Sequence, residues 1–344
     1  MSSRTIPQRT VRALIVTGLL VLAAVPVVGQ EQVKVTATNY VRAESDVQLK
    51  GYVKKFDCFG EFNHGRTPYD VNNQVTVRGN RDTYYSFGVF DLTSPLTVTL
   101  PETNGRYQSL MVVSQDHSIT VFYSPNDVTL TEESVGSRYA MLTIRTLVDP
   151  NDKADEEAAY KLQDQVRVEQ VDKGSFEVPD WKIEEVEKLR NCINVVGSTV
   201  HDFGKAFGVK EELDPVYWML GAAYGWGALP AKASTYVNFV PTKNDGKTAY
   251  TLTVKDVPVD AFWSVTLYDD KGWMPVNKYN AYSFNSVTAK RNKDGSTTIH
   301  FGGDPKQPNF LPIVPGWNYI VRLYQPRKEI LDGTWTFPSP EAVD

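Results

Sequence analysis

The sequence predicts a mainly β protein of the sandwich or jelly-roll class, with two β units joined by a helical segment. Short runs rich in β-branched and aromatic residues recur over 33–148 and again from residue 235 onward. Turn signals such as Asn104-Gly105 separate these runs, and charged sequence with helical periodicity lies between the two β regions. Strands this short and this regularly spaced favour a sandwich over a parallel α/β sheet.

Residues 1–29 have the organisation of a secretory signal peptide. Arg4, Arg9 and Arg12 precede a nearly continuous apolar run, and small residues lie just before Gln30. The run is short for a membrane span, which needs about 20 apolar residues. We therefore expect an exported chain, periplasmic or secreted, that begins near Gln30 and has no integral membrane segment. An uncleaved N-terminal anchor is the alternative.

The composition is that of a globular chain, with 41% hydrophobic and 22% charged residues among 344. Loss of the leader would remove three arginines and change the formal charge from −5 to −8. An acidic chain without runs of Lys and Arg has no long-range attraction for nucleic acid, so we expect no nucleic-acid partner.

Residues 30–150 are expected to form the N-terminal β-sandwich domain. Strands are predicted at 75–77, 84–90, 96–100, 109–113 and 140–146. The run at 96–100 alternates polar and apolar residues, as a strand with one buried face does.

Residues 151–230 are expected to form a helical connector packed between the two β units. The spacing of apolar residues predicts helices over 153–168 and 183–203, the second with Asp180 as its capping residue. A third helix is predicted to begin at Asp214-Pro215 and end near Gly225, because Asp caps a helix and Pro is favoured at its first position.

Residues 231–344 are expected to form the C-terminal β-sandwich domain. Strands are predicted at 249–254, 261–268, 296–301 and 318–324. The segment 292–295, Asn-Lys-Asp-Gly, is a hairpin signal before the third of these strands.

Cys58 and Cys192 are the two cysteines of the chain. In an oxidising compartment such a pair tends to close into a disulfide, whereas two free thiols are the alternative, and geometry decides between them.

The chain contains the block Arg-Gly-Asn-Arg-Asp-Thr-Tyr-Tyr-Ser at 78–86 and a further block at 100–107. Later in the chain come a block at 224–230, Phe-Trp-Ser within 259–268 and Asp-Gly-Thr-Trp within 331–335. The first two blocks resemble the bacterial family called domain of unknown function 1254, and the later blocks resemble its partner family, domain of unknown function 1214.

The resemblance implies two tandem β-sandwich domains of jelly-roll type, and it implies no reaction and no catalytic residues. Where the first family usually opens with a helix, this chain is expected to have a strand-like segment at 34–53. Where the second family often has Asn-Arg-Tyr-Ser, this chain has Asn-Ala-Tyr-Ser at 280–283, without the arginine.

Asn80, Asp82, Thr83 and Tyr85 form the best candidate cluster for chemistry. One interpretation is structural, because Asn and Asp after a glycine turn hold tight loops through side chain to backbone hydrogen bonds. The functional interpretation makes Asp82 a base or ligand anchor and Tyr85 a hydrogen-bond donor. Alternation along a strand keeps the four side chains from converging unless a bulge intervenes.

Asp116 is a further candidate base, next to His117. The histidines lack the spacing of known metal motifs, so we expect no metal site and no cofactor.

Candidate ligand-binding residues are Asn80, Tyr107, Tyr282 and Arg322. Exposed aromatic rings stack on sugars or apolar ligands, and Arg322 would anchor an anion if it pointed into a cleft; an outward-facing strand position is the alternative.

Three functions stay open from the sequence. The leading hypothesis is binding of a small organic or saccharide-like ligand at the domain junction. The alternatives are a metal-independent hydrolase or lyase that uses Asp82 with Tyr85 or Asp116, and a structural homo-oligomer without chemistry. Fold-level analogy does not choose among these.

Overall fold

The structure, a computed structural model, describes residues 32–74 and 76–343. The leader and Val75 of the strand predicted at 75–77 lie outside the described residues, and residues 76–77 are not in a strand. The mainly β prediction is confirmed, since antiparallel sheets make up two β units.

The strands are β1 Asn63–His64, β2 Thr83–Asp91, β3 Leu96–Leu100, β4 Gln108–Ser114, β5 Ile119–Tyr123, β6 Asn126–Leu130, β7 Tyr139–Leu147, β8 Arg167–Gln170, β9 Ser234–Phe239, β10 Tyr250–Val254, β11 Trp263–Tyr268, β12 Ser283–Asn285, β13 Thr297–Phe301, β14 Phe310–Leu311, β15 Asn318–Tyr324 and β16 Glu341–Ala342.

Helices accompany both β units. They are α1 Tyr40–Phe56, α2 Glu132–Val135, α3 Lys153–Asp164, α4 Ile183–Gly197, α5 Pro215–Tyr224 and α6 Lys328–Leu331, with a 3₁₀ turn at Lys210–Glu212. Among the described residues, no helix combines the length and apolarity needed to cross a bilayer.

The first β unit pairs a sheet of order β1-β2-β7-β4-β5 with a smaller sheet of order β6-β3-β8. Leu96, Val98, Leu110 and Leu142 belong to the apolar core between them. Because β8 pairs with β3, a strand of this unit lies within the stretch interpreted as the connector.

The second β unit pairs a sheet of order β14-β13-β10-β16 with one of order β12-β11-β15-β9. Its core contains Leu252, Val265, Phe301 and Trp317. The turn signal at 292–295 is confirmed, since the Asn292 amide donates to the Ser296 carbonyl at 2.7 Å.

The helix predicted from Asp214-Pro215 is confirmed. The Asp214 carboxylate accepts hydrogen bonds from the amides of Val216 and Tyr217, so it caps α5. The helix predicted at 183–203 is shorter, because α4 ends at Gly197, and its N-cap residue is Lys182 rather than Asp180.

The strand-like interpretation of 34–53 is wrong, because α1 occupies most of this segment. Its helical pattern is hidden in the sequence because polar Glu44, Ser45 and Asp46 are buried along with its apolar residues. Distant residues satisfy each of them: Arg190 donates to Glu44, Trp226 to Ser45, and Trp181 to Asp46.

The candidate disulfide is not formed in this structure. Cys58 is buried just after α1, and its thiol donates to the Tyr52 carbonyl at 3.6 Å. Cys192 is an exposed, free residue of α4. Burial raises the pKa of the Cys58 thiol to about 11, which keeps it protonated and unreactive at neutral pH.

His117 is fully buried in the turn between β4 and β5, where its Nε2 accepts a hydrogen bond from the Gly227 amide at 3.0 Å. Burial lowers the pKa of His117 to about 3. The folded state therefore favours neutral imidazole. The contribution of neutral His117 to the free energy of unfolding is fully present above the unfolded pKa of 6.5 and is lost as the pH falls toward 3.

We predict that wild type loses about 1.4 kcal/mol of unfolding free energy per pH unit across this window from His117 alone. His117→Gln keeps an acceptor for Gly227 but does not titrate, so its acid destabilisation should be shallower. Urea unfolding of both proteins between pH 7 and pH 4 measures the difference. Parallel curves would contradict the assignment.

Candidate functional site

The two β units meet at residues 78–82, here called the junction loop, which leads directly into β2. The Arg78 amide donates to the Gly272 carbonyl at 2.8 Å, and the Tyr268 hydroxyl donates to the Gly79 carbonyl at 2.6 Å. A Cβ at Gly79 would lie 2.5 Å from the ring of Tyr69. A larger residue at position 79 would therefore fit only if the ring of Tyr69 moved.

Arg322 of β15 fastens the junction loop to the second unit. Its side chain is buried, and its Nη2 donates to the Arg78 carbonyl and to the Tyr268 hydroxyl, each at 2.8 Å. Its Nη1 donates to the Thr266 hydroxyl at 2.9 Å. The alternative of an outward-facing Arg322 is wrong, and its Nη1 and Nη2 both donate to protein oxygens.

Asn80 is the hydrogen-bonding centre of the candidate cluster. Its Nδ2 donates to the hydroxyls of Tyr85 at 3.1 Å and Tyr324 at 2.9 Å, so it links the two units. Its Oδ1 accepts from the Asp82 amide at 2.9 Å, which is the loop-holding contact that the structural interpretation expects.

Asp82 is 1% exposed, and its Oδ1 accepts from Asn285 Nδ2 at 3.3 Å. Its Oδ2 has no hydrogen-bond partner among the described residues. Burial raises the pKa of Asp82, and the nearby charge of Arg322 offsets part of that rise. The adjoining cavity of about 20 Å³, lined also by Tyr282 and Asn285, has room for a water molecule rather than for a substrate.

Asp116 lies at the opposite end of β4 from Asp82. The strand Gln108–Ser114 separates them, a length of about 20 Å at 3.3 Å per residue. The Asp116 carboxylate forms an ion pair with Arg42 at 2.7 Å. The structure therefore brings Asp82 near Tyr85 through Asn80 but does not bring Asp116 to them.

The candidate tyrosines are both buried. Tyr107 packs against Phe262 and Tyr324 of the second unit, with ring centroids 5.3 and 5.4 Å away. Tyr282 lies under the guanidinium of Arg81 at 5.2 Å. Both rings thus join the two units rather than lie open to solvent. Among residues 32–74 and 76–343, no three His, Cys, Asp or Glu side chains are grouped as metal ligands.

Arg145, a residue that the sequence did not single out, lies at the same junction. The register of the larger sheet places Tyr85, Arg145, Ser109 and Tyr123 in one row across β2, β7, β4 and β5. Neighbouring strands present these side chains on the same face, which is the face covered by α1 and by Tyr324 of the second unit.

The charge of Arg145 lacks a conventional partner. The side chain is 8% exposed, and its hydrogen bond among the described residues goes to the Met111 sulfur at 3.6 Å. Its guanidinium lies 5.3 Å from the ring centre of Tyr85. Burial lowers the pKa of Arg145, but Tyr85, Tyr236, Tyr107 and Tyr324 raise it, and the net direction is upward. Arg145 is therefore a buried cation at neutral pH.

One signal for Arg145 was present in the sequence. It is the charged residue in the run 140–146, whose other members are apolar or threonine. A charge in a strand buried on both faces needs a partner. The sequence could not show that, within the part of the chain that the structure describes, no carboxylate pairs with it.

Two family models match the chain. The model described as protein of unknown function DUF1254 matches residues 59–126, and that described as protein of unknown function DUF1214 matches residues 233–328. These are the paired families that the sequence blocks resemble, so the resemblance is confirmed. No curated protein matches the chain.

Solved structures of similar fold include the VPA0106 protein from Vibrio parahaemolyticus. It is 18% identical with a TM-score of 0.66, and the match covers 90% of this chain and 98% of that one. An uncharacterized protein from Burkholderia cenocepacia is 14% identical with a TM-score of 0.50, over 89% of this chain and 88% of that one. At these identities the likeness shows the fold alone.

We predict that Asn80→Ala lowers the free energy of unfolding by about 2–3 kcal/mol, because it leaves the Asp82 amide and two tyrosine hydroxyls without their partner. Urea unfolding measures the change. Asn126→Ala, at an exposed position of β6, is the matched control and should stay within about 0.5 kcal/mol of wild type. Equal effects of the two substitutions would contradict the bridging role of Asn80.

Proposed function

We propose that this protein binds a small organic acid at the junction of its β units, with the ligand carboxylate on Arg145. The observation that carries the proposal is a guanidinium, 8% exposed, that has no oxygen acceptor among the described residues. Arg322, 4% exposed at the same junction, has four oxygen acceptors. The contrast supports a partner for Arg145 that is not among the described residues, and we propose that this partner is the ligand.

Electrostatics favours an anion at this position. A buried charge is destabilising unless it is paired and hydrogen-bonded, and the planar fork of arginine matches a carboxylate with two parallel hydrogen bonds. A neutral saccharide would leave the charge unpaired. Of the small organic and the saccharide-like ligand that the sequence suggested, the small organic ligand is therefore better supported, and we propose that it is an acid.

The surroundings favour a ligand with a flat apolar body. Tyr85 is the neighbour of Arg145 in the sheet row, Tyr123 lies two strands away beyond Ser109, and both tyrosine side chains are partly exposed. Trp226 and Tyr52 pack against the same core with ring centroids 6.3 Å apart. Aromatic walls bury apolar surface, while tyrosine hydroxyls can donate to the carboxylate.

The other hypotheses have less support. A hydrolase would use Asp82, which faces a cavity of one-water size, or Asp116, which is paired with Arg42. Homo-oligomerisation stays a prediction. From the leader pattern alone, we also propose that binding takes place outside the cytoplasm.

We predict that the purified chain binds cinnamate more tightly than cinnamamide, because only cinnamate carries the anion. Arg145→Met should weaken cinnamate binding by about tenfold or more, which corresponds to 1.4 kcal/mol. The affinity of Arg145→Lys for cinnamate should lie between those of wild type and Arg145→Met, since lysine keeps the charge but cannot form two parallel hydrogen bonds to the carboxylate. Isothermal titration calorimetry measures the affinities of wild type, Arg145→Met and Arg145→Lys.

Arg167→Met, at an exposed position of β8, is the matched control and should leave the cinnamate affinity unchanged. Benzoate, pyruvate and succinate extend the panel to other sizes of organic acid. Absence of binding across the panel would contradict the proposal. So would equal affinities for cinnamate and cinnamamide, or an Arg145→Met variant that binds as wild type does.

A further inference from the structure

A second open space lies at the edge of the first β unit, where β5 and β6, the outer strands of its two sheets, adjoin. This edge cleft has a volume of about 780 Å³. That is within the range of small-molecule binding sites, which span about 300–1,000 Å³. It is far larger than the one-water cavity beside Asp82.

The edge cleft and Arg145 lie on opposite faces of one sheet. Val112 and Phe122 line the cleft, whereas their chain neighbours Met111 and Tyr123 belong to the face that carries Arg145. Successive side chains of a strand point to opposite faces. A molecule in the cleft would therefore be separated from Arg145 by the sheet itself.

The walls of the edge cleft are apolar and reach into the core of the first unit. Val112 and Leu130 are buried core residues that line its inner part. Leu213 and Trp218 line it from the segment around the start of α5. The indole of Trp218 is fixed in place, because its Nε1 donates to the Asp116 carbonyl at 2.8 Å.

The charges along the edge cleft disfavour an anionic ligand. Its charged lining residues are Asp116, Glu133, Lys210 and Glu211, all exposed. Arg42 neutralises the Asp116 carboxylate at 2.7 Å. The remaining charged residues are two glutamates and one lysine, so the lining carries a net negative charge, and the chain as a whole is also acidic. An ammonium group would be attracted to the glutamates and to the face of Trp218.

We propose that the edge cleft is a second binding site, and that it takes a small amphipathic cation. The apolar body enters between the sheets toward Val112 and Leu130, and the cationic head stays with Glu133, Glu211 and the indole of Trp218. This site is independent of the organic acid proposed for Arg145.

Decyltrimethylammonium and decanoate, both below their micellar concentrations, test the proposal by calorimetry at low salt. Wild type should bind the cation about tenfold more tightly than the anion. Thr120→Trp, on an exposed residue of β5 that lines the cleft, should weaken binding of the cation by a similar factor. Arg145→Met should leave it unchanged.

The double variant Glu133→Lys/Glu211→Lys should reverse the preference between the two amphiphiles. Glu157→Lys/Glu187→Lys, at exposed positions elsewhere, makes the same change in net charge and should not reverse it. Equal binding of the two amphiphiles by wild type would overturn the proposal. So would an unaffected Thr120→Trp, a reversal in the control variant, or loss of cation binding in Arg145→Met.

Discussion

The hydrogen bonds from Arg322 to the junction loop hold the two β units together, and the geometry around them follows from the burial of that charge. Burial of a guanidinium is destabilising unless its donors are satisfied, and here the Arg78 carbonyl and the Tyr268 and Thr266 hydroxyls accept hydrogen bonds from it. These contacts position the loop so that Asn80 reaches Tyr324 and Asn285 reaches Asp82. The arrangement of the two units at the junction loop thus depends on the hydrogen bonds of the buried Arg322 guanidinium.

Arg145, the other buried arginine at the junction, has no oxygen acceptor among the described residues. The same sheet row that packs Tyr85 and Tyr123 into the junction forces the side chain at 145 to the buried face. A hydrophobic residue there would fill the space without an electrostatic penalty. We propose that a ligand supplies the oxygen acceptors that this arginine lacks among the described residues.

Local chemistry made part of this structure predictable. Asp214-Pro215 begins α5 as expected, because capping depends on neighbouring residues alone. The helix α1 was missed because its polar residues are buried by partners far along the chain, such as Arg190 for Glu44. At the site, Asn80 and Asp82 were identified from their turn. The burial of Arg322 depends on three-dimensional packing that no sequence pattern records, and so does the lack of a paired carboxylate for Arg145 among the described residues.

The most direct test compares the unfolding free energies of Arg322→Met and Arg145→Met with wild type by urea denaturation without added ligand. Arg322→Met should lose about 3–5 kcal/mol, because it strands buried acceptors and the charge of Asp82. Arg145→Met should stay within about 1 kcal/mol of wild type or gain stability, because it removes an unpaired buried charge. A large loss in Arg145→Met, comparable to that in Arg322→Met, would make Arg145 a structural residue and contradict the account.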